Sequence, residues 1–294
     1  MNQRGNWYIV AAAMLWGTTG TAQALAPYGV GPVIVGTVRL VIGGIALMAF
    51  ALARGDLHDG NRWPFWSTFI AASSMAAYQL FFFAGVAKTG VAVGTIVGIG
   101  SAPIMTGLLG YLWRGERPGH RWGVATVLAI IGCSLLIASG GSIHVDILGI
   151  LLALGAGFSY AIFTLVSKGL LEDHPPEAVM AVAFFLGAVL LSPFLITADL
   201  AWLFQPRGLA IGLWLGFVTV AVAYTLFARG LKLVHVATAG TLTLAEPLTA
   251  GTLGIFLLGE KMSPIAFLGI ILIFAGLLIL TFGGSKSSLK RPLA

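Results

Sequence analysis

Two charged residues stand inside long apolar runs of this sequence, and both could do chemistry there. Glu246 lies about ten residues from either end of the run 236–258, and Arg39 lies about eight residues into the run 32–53. A charge deep in a bilayer costs roughly 2.5–3.5 kcal/mol on insertion scales, so such residues usually have a function or a partner. Glu246 could bind a substrate amine or carry a coupling proton, and Arg39 could bind a substrate carboxylate.

Each charge also has a structural interpretation. A neutral Glu246 could hydrogen-bond a neighbouring helix, and Arg39 could form an ion pair or extend toward the membrane surface. Both interpretations stay open at this point.

Aromatic residues with polar tips, and their polar neighbours, stand near the middle of four further runs. They are Trp16, Tyr78, Gln79, Tyr160 and Tyr224. Together these side chains suit an amphiphilic or aromatic solute, through stacking and cation–π contacts. Core packing is the alternative for any single ring. With Arg39 and Glu246 they form the predicted substrate site.

The composition places most of the chain in lipid. Of 294 residues, 58% are hydrophobic and only 9% are charged, against roughly 25% charged residues in a soluble domain. The net charge of +6 comes from scattered basic residues, so we expect no nucleic-acid partner. Cys133 is the only cysteine, which excludes a disulfide within one chain.

Polar and proline–glycine punctuation divides the chain into ten apolar runs, most of them close to the ~20 residues that a spanning helix needs. None alternates strictly between polar and apolar residues, which argues against a β-barrel. The runs are 7–25, 32–53, 64–87, 90–112, 120–140, 147–169, 177–197, 208–231, 236–258 and 264–282.

The second half of the chain repeats the first at an offset of 144 residues. Pro103 matches Pro247, and Trp16-Gly17 matches Tyr160-Ala161. Five helices in each half is an odd number, so the second copy must cross the membrane in the opposite direction, as in inverted-repeat transporters. Each matched proline should leave a carbonyl unpaired one turn back, at Ile99 and Thr243. We expect kinks beside a cavity there, with plain bent packing as the alternative.

Matched triplets, Gly115-Glu116-Arg117 and Gly259-Glu260-Lys261, end corresponding runs at opposite membrane surfaces. They are either glycine helix stops with interfacial charges or acids that pair with a neighbouring base and hold a gate.

Charge asymmetry predicts that both termini are cytoplasmic. With the N-terminus inside, the inner segments hold twelve basic residues and the outer loops hold three, Lys88, Arg207 and Lys261, which is a clear positive-inside bias. Ala22-Gln23-Ala24 resembles a signal-peptide cleavage site. The counterpart of this first run lies inside the chain, so we expect the run to be retained as a helix.

Enzyme signatures are missing from the sequence. The sequence contains no H-E-x-x-H motif, no Walker A loop and no G-x-S-x-G motif. Each of these motifs marks a common class of enzyme or nucleotide-binding site. We therefore expect no enzyme activity, no cofactor and no metal. A channel and an intramembrane enzyme are the competing hypotheses to a transporter.

These residues carry a family resemblance over nearly all the chain. The paired halves, the Trp16-Gly17 and Tyr160-Ala161 steps, the proline segments and the Gly-Glu ends resemble the EamA-type transporters of the drug/metabolite transporter superfamily. Ala245-Glu246-Pro247 is similar to the second-repeat motif of that family, and Arg39 to its helix-2 arginine. Tyr78-Gln79 and the phenylalanines after them are similar to YddG-type aromatic amino acid exporters.

The resemblance and the residues together predict an all-α membrane protein. Its ten transmembrane helices form two inverted five-helix repeats, residues 1–143 and 144–294, around a central cavity. We expect it to export small metabolites, amino acids including aromatic ones, from the bacterial cytoplasm across the inner membrane by alternating access. Its partners would be the small-molecule substrate and the lipid bilayer. A drug or other metabolite is the alternative substrate, and the oligomeric state is open and compatible with a monomer.

Overall fold

A computed structural model describes residues 3–25, 31–58, 60–138, 146–258 and 263–282. In this part of the chain every regular element is a helix. The α-helices are α1 (Gln3–Ala24), α2 (Pro32–Arg54), α3 (Phe65–Arg114), α4 (His120–Ala138), α5 (Ile147–Asp173), α6 (Pro176–Leu191), α7 (Pro206–Leu213), α8 (Ala223–Leu233), α9 (Val236–Leu242), α10 (Ala245–Leu258) and α11 (Pro264–Phe282). Two 3₁₀ turns, Ser192–Leu195 and Ala201–Phe204, lie between α6 and α7, and a π-helical stretch, Trp214–Val222, joins α7 to α8.

Six helical segments in the described ranges are long and apolar enough to cross a membrane. They are Val33–Arg54, Phe65–Thr89, Ile147–Asp173, Pro176–Leu195, Pro206–Leu233 and Pro264–Phe282. The prediction of an all-helical membrane protein agrees with this result, whereas ten spans stay a prediction. Two of the four remaining runs form shorter helices: the run 236–258 is divided into α9 and α10, which are 7 and 14 residues long, and the apolar part of α4 is only His120–Leu135.

The helical segment α3 turns back on itself. A Cβ on Gly94 would lie 2.9 Å from the Cα of Val86, and one on Gly98 would lie 3.4 Å from the ring of Phe82. Eight residues of straight helix span about 12 Å, so these contacts require the chain to reverse. We call Phe65–Thr89 the first leg and 94–114 the second leg of α3. The two legs correspond to the third and fourth apolar runs.

The run 236–258 is broken just before Glu246. Helix α9 ends at Leu242, and α10 starts at Ala245. The prediction that Pro247 leaves the Thr243 carbonyl unpaired is wrong, because that carbonyl accepts a hydrogen bond from the Glu246 N–H at 2.9 Å. Pro247 lies in the first turn of α10, where backbone N–H groups lack helical partners in any case. The proline therefore starts a helix and does not kink one.

Pro103, its counterpart, lies inside the helical second leg of α3. An internal proline removes a backbone hydrogen bond and bends the helix. The Thr106 hydroxyl donates to the carbonyls of Ala102 and Pro103, at 2.9 and 3.0 Å. The two prolines thus sit in different backbone settings despite their matched positions.

Close helix crossings follow the 144-residue repeat. A Cβ on Gly5 would lie 2.8 Å from the Cβ of Leu233, which brings α1 onto α8. The matching Gly149 brings α5 onto the first leg of α3, with Lys88 Cβ at the same 2.8 Å. Equivalent helices in the two halves therefore make equivalent contacts through small residues, as expected for tight packing in membranes.

Candidate functional site

One cavity brings together all seven residues predicted to bind substrate. Its volume is about 80 Å³, and its wall is formed by α1, α2, both legs of α3, α5, α8 and the junction of α9 with α10. The predicted residues in the wall are Trp16, Arg39, Tyr78, Gln79, Tyr160, Tyr224 and Glu246. Drug-sized ligands occupy pockets of roughly 300–1,000 Å³, so this conformation admits only a small solute.

The two charges of the cavity do not pair with each other. Arg39 is 9% exposed, and its Nε has no hydrogen-bond partner. Glu246 is half-buried in the first turn of α10. Among the described residues, no salt bridge of 4.0 Å or less joins Arg39 to Glu246, and no group donates to the Glu246 carboxylate. One cation and one anion therefore share a cavity, and neither has an ion-pair partner within 4.0 Å among the described residues.

The aromatic residues of the wall pack mainly against one another. The ring centroids of Trp16 and Tyr224 are 4.6 Å apart, and those of Tyr224 and Phe184 are 4.3 Å apart. Tyr78 and Tyr160 are 5.9 Å apart. Such distances are typical of aromatic pairs in cores. Tyr224 also has Phe163 and Phe227 as ring neighbours, so most of its surface is already covered by protein.

Gln79 connects the first leg of α3 to α2. Its side-chain Nε2 donates to the carbonyl of Gly36 at 3.4 Å, which is a long hydrogen bond. Gly36 also allows the two helices to approach, because a Cβ there would collide with the Phe83 ring. Gln79 thus has a weak structural partner and still lines the cavity.

The second leg of α3 adds residues to the cavity wall that were not named in the predicted substrate site. Gly98, Ile99 and Ala102 line the cavity, and so does Thr243. Ala102 stands at the position that corresponds to Glu246 under the 144-residue offset. Both copies of the proline segment therefore face the same cavity, one with a carboxylate and the other with a methyl group.

A polar clamp holds α3, α5, α8 and α9 together at one end of the bundle. Gly115, at φ 61°, ends α3, and Glu116 then accepts a hydrogen bond from the Val236 N–H at 2.8 Å. Arg114 lies between Glu116 and Glu172 and bridges them. An anion at the start of α9 is favourable because it faces the positive end of the helix dipole. In this copy the triplet is both a helix stop and a tether; Gly259-Glu260-Lys261 lies outside the described residues.

Lys168 of α5 completes this clamp. Its Nζ donates to the carbonyls of Leu231 and Val234 at 2.6 and 2.8 Å, and these carbonyls lie at the C-terminal end of α8. A cation there matches the negative end of the helix dipole. The short turn between α8 and α9 is thus held by a positive charge on one side and a negative charge on the other. The charge distribution predicts that this end is cytoplasmic.

Comparison with known proteins identifies the family. The profile of the EamA-like transporter family matches twice, over residues 3–138 and 147–282. The chain belongs to the EamA-like transporter family. "Uncharacterized transporter YwfM" of Bacillus subtilis (strain 168) is 46% identical over 287 residues, covering 96% of each chain. "Threonine/homoserine exporter RhtA" of Escherichia coli (strain K12) is 31% identical over 293 residues, covering 97% of this chain and 93% of the relative.

A solved crystal structure shows the same fold. It superposes with a TM-score of 0.83 at 21% sequence identity, and the match covers 96% of this chain and 98% of that one. The two profile matches and the relatives confirm the resemblance to the EamA-type transporters, and this is a multi-pass membrane transporter of that family. A specific likeness to aromatic amino acid exporters stays a prediction.

Proposed function

We propose that this EamA-family protein is a secondary transporter that exports amino acids from the bacterial cytoplasm. One half, residues 1–143, would rock against the other, residues 144–294, so that the cavity opens to each side of the inner membrane in turn. The observation that carries the proposal is that Arg39 and Glu246 line one small cavity and that neither has an ion-pair partner within 4.0 Å among the described residues.

A zwitterion complements this pair of charges. Its carboxylate would bind the Arg39 guanidinium, and its ammonium would bind the Glu246 carboxylate, with charge-assisted hydrogen bonds on both sides. Burying either charge alone is costly, so a ligand that compensates both gains affinity and specificity. The remaining wall, formed by Trp16, Tyr78, Gln79, Tyr160 and Tyr224, would surround the rest of the substrate.

Small polar amino acids are the first substrates to test. The relative of Escherichia coli named for threonine and homoserine export aligns along almost the whole chain, and a cavity of about 80 Å³ favours a short side chain. Aromatic amino acids are the second candidate, since the wall is rich in rings. They would require the packed rings around Tyr224 to separate, and Tyr224→Ala should then affect aromatic substrates more than aliphatic ones.

The deciding experiment is transport by the purified protein in proteoliposomes with a panel of radiolabelled amino acids and drugs. Saturable flux of amino acids, accelerated by unlabelled substrate on the opposite side, is the expected result. The matched control is liposomes that contain the Arg39→Gln, Glu246→Gln double variant. It should insert normally and transport poorly.

Other outcomes would select the alternatives. Saturable flux of drugs or other metabolites with none of amino acids would identify a different exporter of the same superfamily. Flux that rises linearly with concentration, without trans-stimulation, would identify a channel, because a channel has no alternating conformations to saturate.

A further inference from the structure

Two donors in the cavity wall make no hydrogen bond of 3.5 Å or less to any of the described residues. The indole Nε1 of Trp16 and the hydroxyl of Tyr160 are both buried and unpaired, although the two side chains are only 5% and 6% exposed. A buried donor without a partner costs about 1–3 kcal/mol, and unpaired groups are rare enough in native proteins that each calls for an explanation.

The two donors occupy the same position in the two halves of the chain. Tyr160 follows Trp16 by 144 residues, the repeat offset, and the side chains lie on α1 and α5, the first helices of the two matched regions. Both rings contact Phe227, with centroids 5.4 and 6.2 Å away. The two matched residues therefore line one cavity and contact the same buried ring.

The rings themselves are already in contact with protein. Trp16 packs against Tyr224 and Phe227, and Tyr160 packs against Tyr78, Phe163 and Phe227. Stacking with a solute would have to displace these neighbours, whereas neither polar tip has a hydrogen bond of 3.5 Å or less to give up among the described residues. The group that a ligand can satisfy on each residue is thus the donor.

We propose that the Trp16 N–H and the Tyr160 O–H, together with Arg39, bind the substrate's carboxylate, one donor from each half of the protein. This inference rests on the proposed function, because it assumes an amino acid substrate. It deepens that function by naming the residues that bind the substrate's carboxylate. The third unpaired donor at the cavity, Arg39 Nε, supplies the charge, and Glu246 holds the ammonium end.

The symmetric placement has a mechanistic consequence. When inverted halves exchange conformations, equivalent residues exchange surroundings. A carboxylate held by one donor from each half keeps two equivalent contacts in both conformations. The substrate therefore stays bound while the cavity changes the side to which it opens.

The test measures binding to the purified full-length protein with three probes: threonine, the amine that lacks its carboxylate, and the hydroxy acid that lacks its amino group. Trp16→Phe and Tyr160→Phe keep a ring and remove the donor. Each should weaken binding of the two carboxylate probes about tenfold, the order expected for a hydrogen bond to a charged group. Binding of the amine should not change.

Trp202→Phe is the matched control. Trp202 is 6% exposed and its Nε1 is also unpaired, but it packs in a separate cluster with Val35, Val38 and Leu215. Removing this donor should leave all three affinities unchanged. An unchanged affinity for the amine would show that the altered ring itself does not weaken binding.

The outcomes separate this inference from the proposed function. Equal weakening of all three probes, or no change in either variant, would overturn the carboxylate assignment, and so would a wild-type protein that binds none of the carboxylate probes. Wild-type binding of the hydroxy acid but not of threonine, with the tenfold losses present, would support the donors and reject amino acid export.

Discussion

The second leg of α3 and the pair α9–α10 are two copies of one membrane segment, and the structure gives them different backbones and different chemistry. The first copy is helical through Pro103, and it presents Ala102 to the cavity. The second is interrupted between Leu242 and Ala245, and it presents Glu246. Both copies face the same cavity, so the repeat preserves position while the charge and the helix break belong to one half only.

This difference shows how a symmetric scaffold can hold an asymmetric ligand. The broken copy places Glu246 in the first turn of α10, next to the positive end of a helix. The unbroken copy supplies a close-packed wall. An amino acid has one positive and one negative end, so a strictly symmetric site could not distinguish them.

The largest effect should come from removing the charge that only one of the two copies carries. Glu246→Gln keeps the shape of the side chain and removes the anion, and loss of one partner of a buried charge pair costs about 2–5 kcal/mol. Half-saturation for amino acids in proteoliposomes should rise ~30-fold or more. Ala102→Ser at the matched position should have a much smaller effect. Equal losses in both variants would remove Glu246 from the site. If the carboxyl also carries a coupling proton, Glu246→Gln should flatten the pH profile of transport.

The next largest effect should come from disturbing the contact between α1 and α10, the helix that carries Glu246. A Cβ on Gly17 would lie 2.7 Å from the Glu246 carbonyl oxygen and 2.6 Å from Thr249 Cβ. Gly17→Ala should therefore force α1 away from α10 and destabilise the protein by about 1–3 kcal/mol, as overpacking does. Thermal unfolding in detergent measures this loss.

Gly20 provides the control on the same helix, because a Cβ there would meet nothing within 4 Å. Gly20→Ala should be neutral or stabilising by about 0.5–1 kcal/mol, since alanine is the better helix former. A Gly17→Ala protein as stable as Gly20→Ala would show that α1 and α10 are not tightly packed.

The matched prolines should respond differently to replacement. Pro103→Ala returns an N–H to the interior of a helix, where proline costs about 3 kcal/mol relative to alanine, so it should raise the melting temperature and straighten the second leg of α3. Pro247→Ala changes a first-turn residue whose N–H has no helical partner, and its melting temperature should shift less. A larger shift for Pro247→Ala would contradict the helix break before Glu246.

The smallest effect should come from the clamp at the end of the first copy. Glu116→Gln keeps an acceptor for the Val236 N–H but removes the anion from the start of α9, which is worth about 0.3–1 kcal/mol. The melting temperature should fall slightly. Thiol labelling of a cysteine introduced near Val236 should increase. Glu172→Gln, at a side chain 60% exposed, should change labelling less. Equal labelling in the two variants would place the tether elsewhere.

The sequence by itself determined the elements and the family. Apolar runs and the Ala245-Glu246-Pro247 motif are local patterns, and the 144-residue offset is a comparison of the chain with itself. Together they are sufficient to identify helices, an EamA-type chain and a set of polar residues at mid-depth. Hydrophobicity and spacing act over one helix at a time, so they can be read without knowing which helices are neighbours.

Only the tertiary structure decided which groups meet and which remain unpaired. The helix break before Glu246, the contacts of Tyr224 with Trp16 and Phe184, and the part that the second leg of α3 plays in the cavity wall were found in the structure only. That Trp16 Nε1 and the Tyr160 hydroxyl make no hydrogen bond of 3.5 Å or less to a described residue is likewise a property of their neighbours. A side chain's type states what it can donate, but packing alone determines whether an acceptor is within reach.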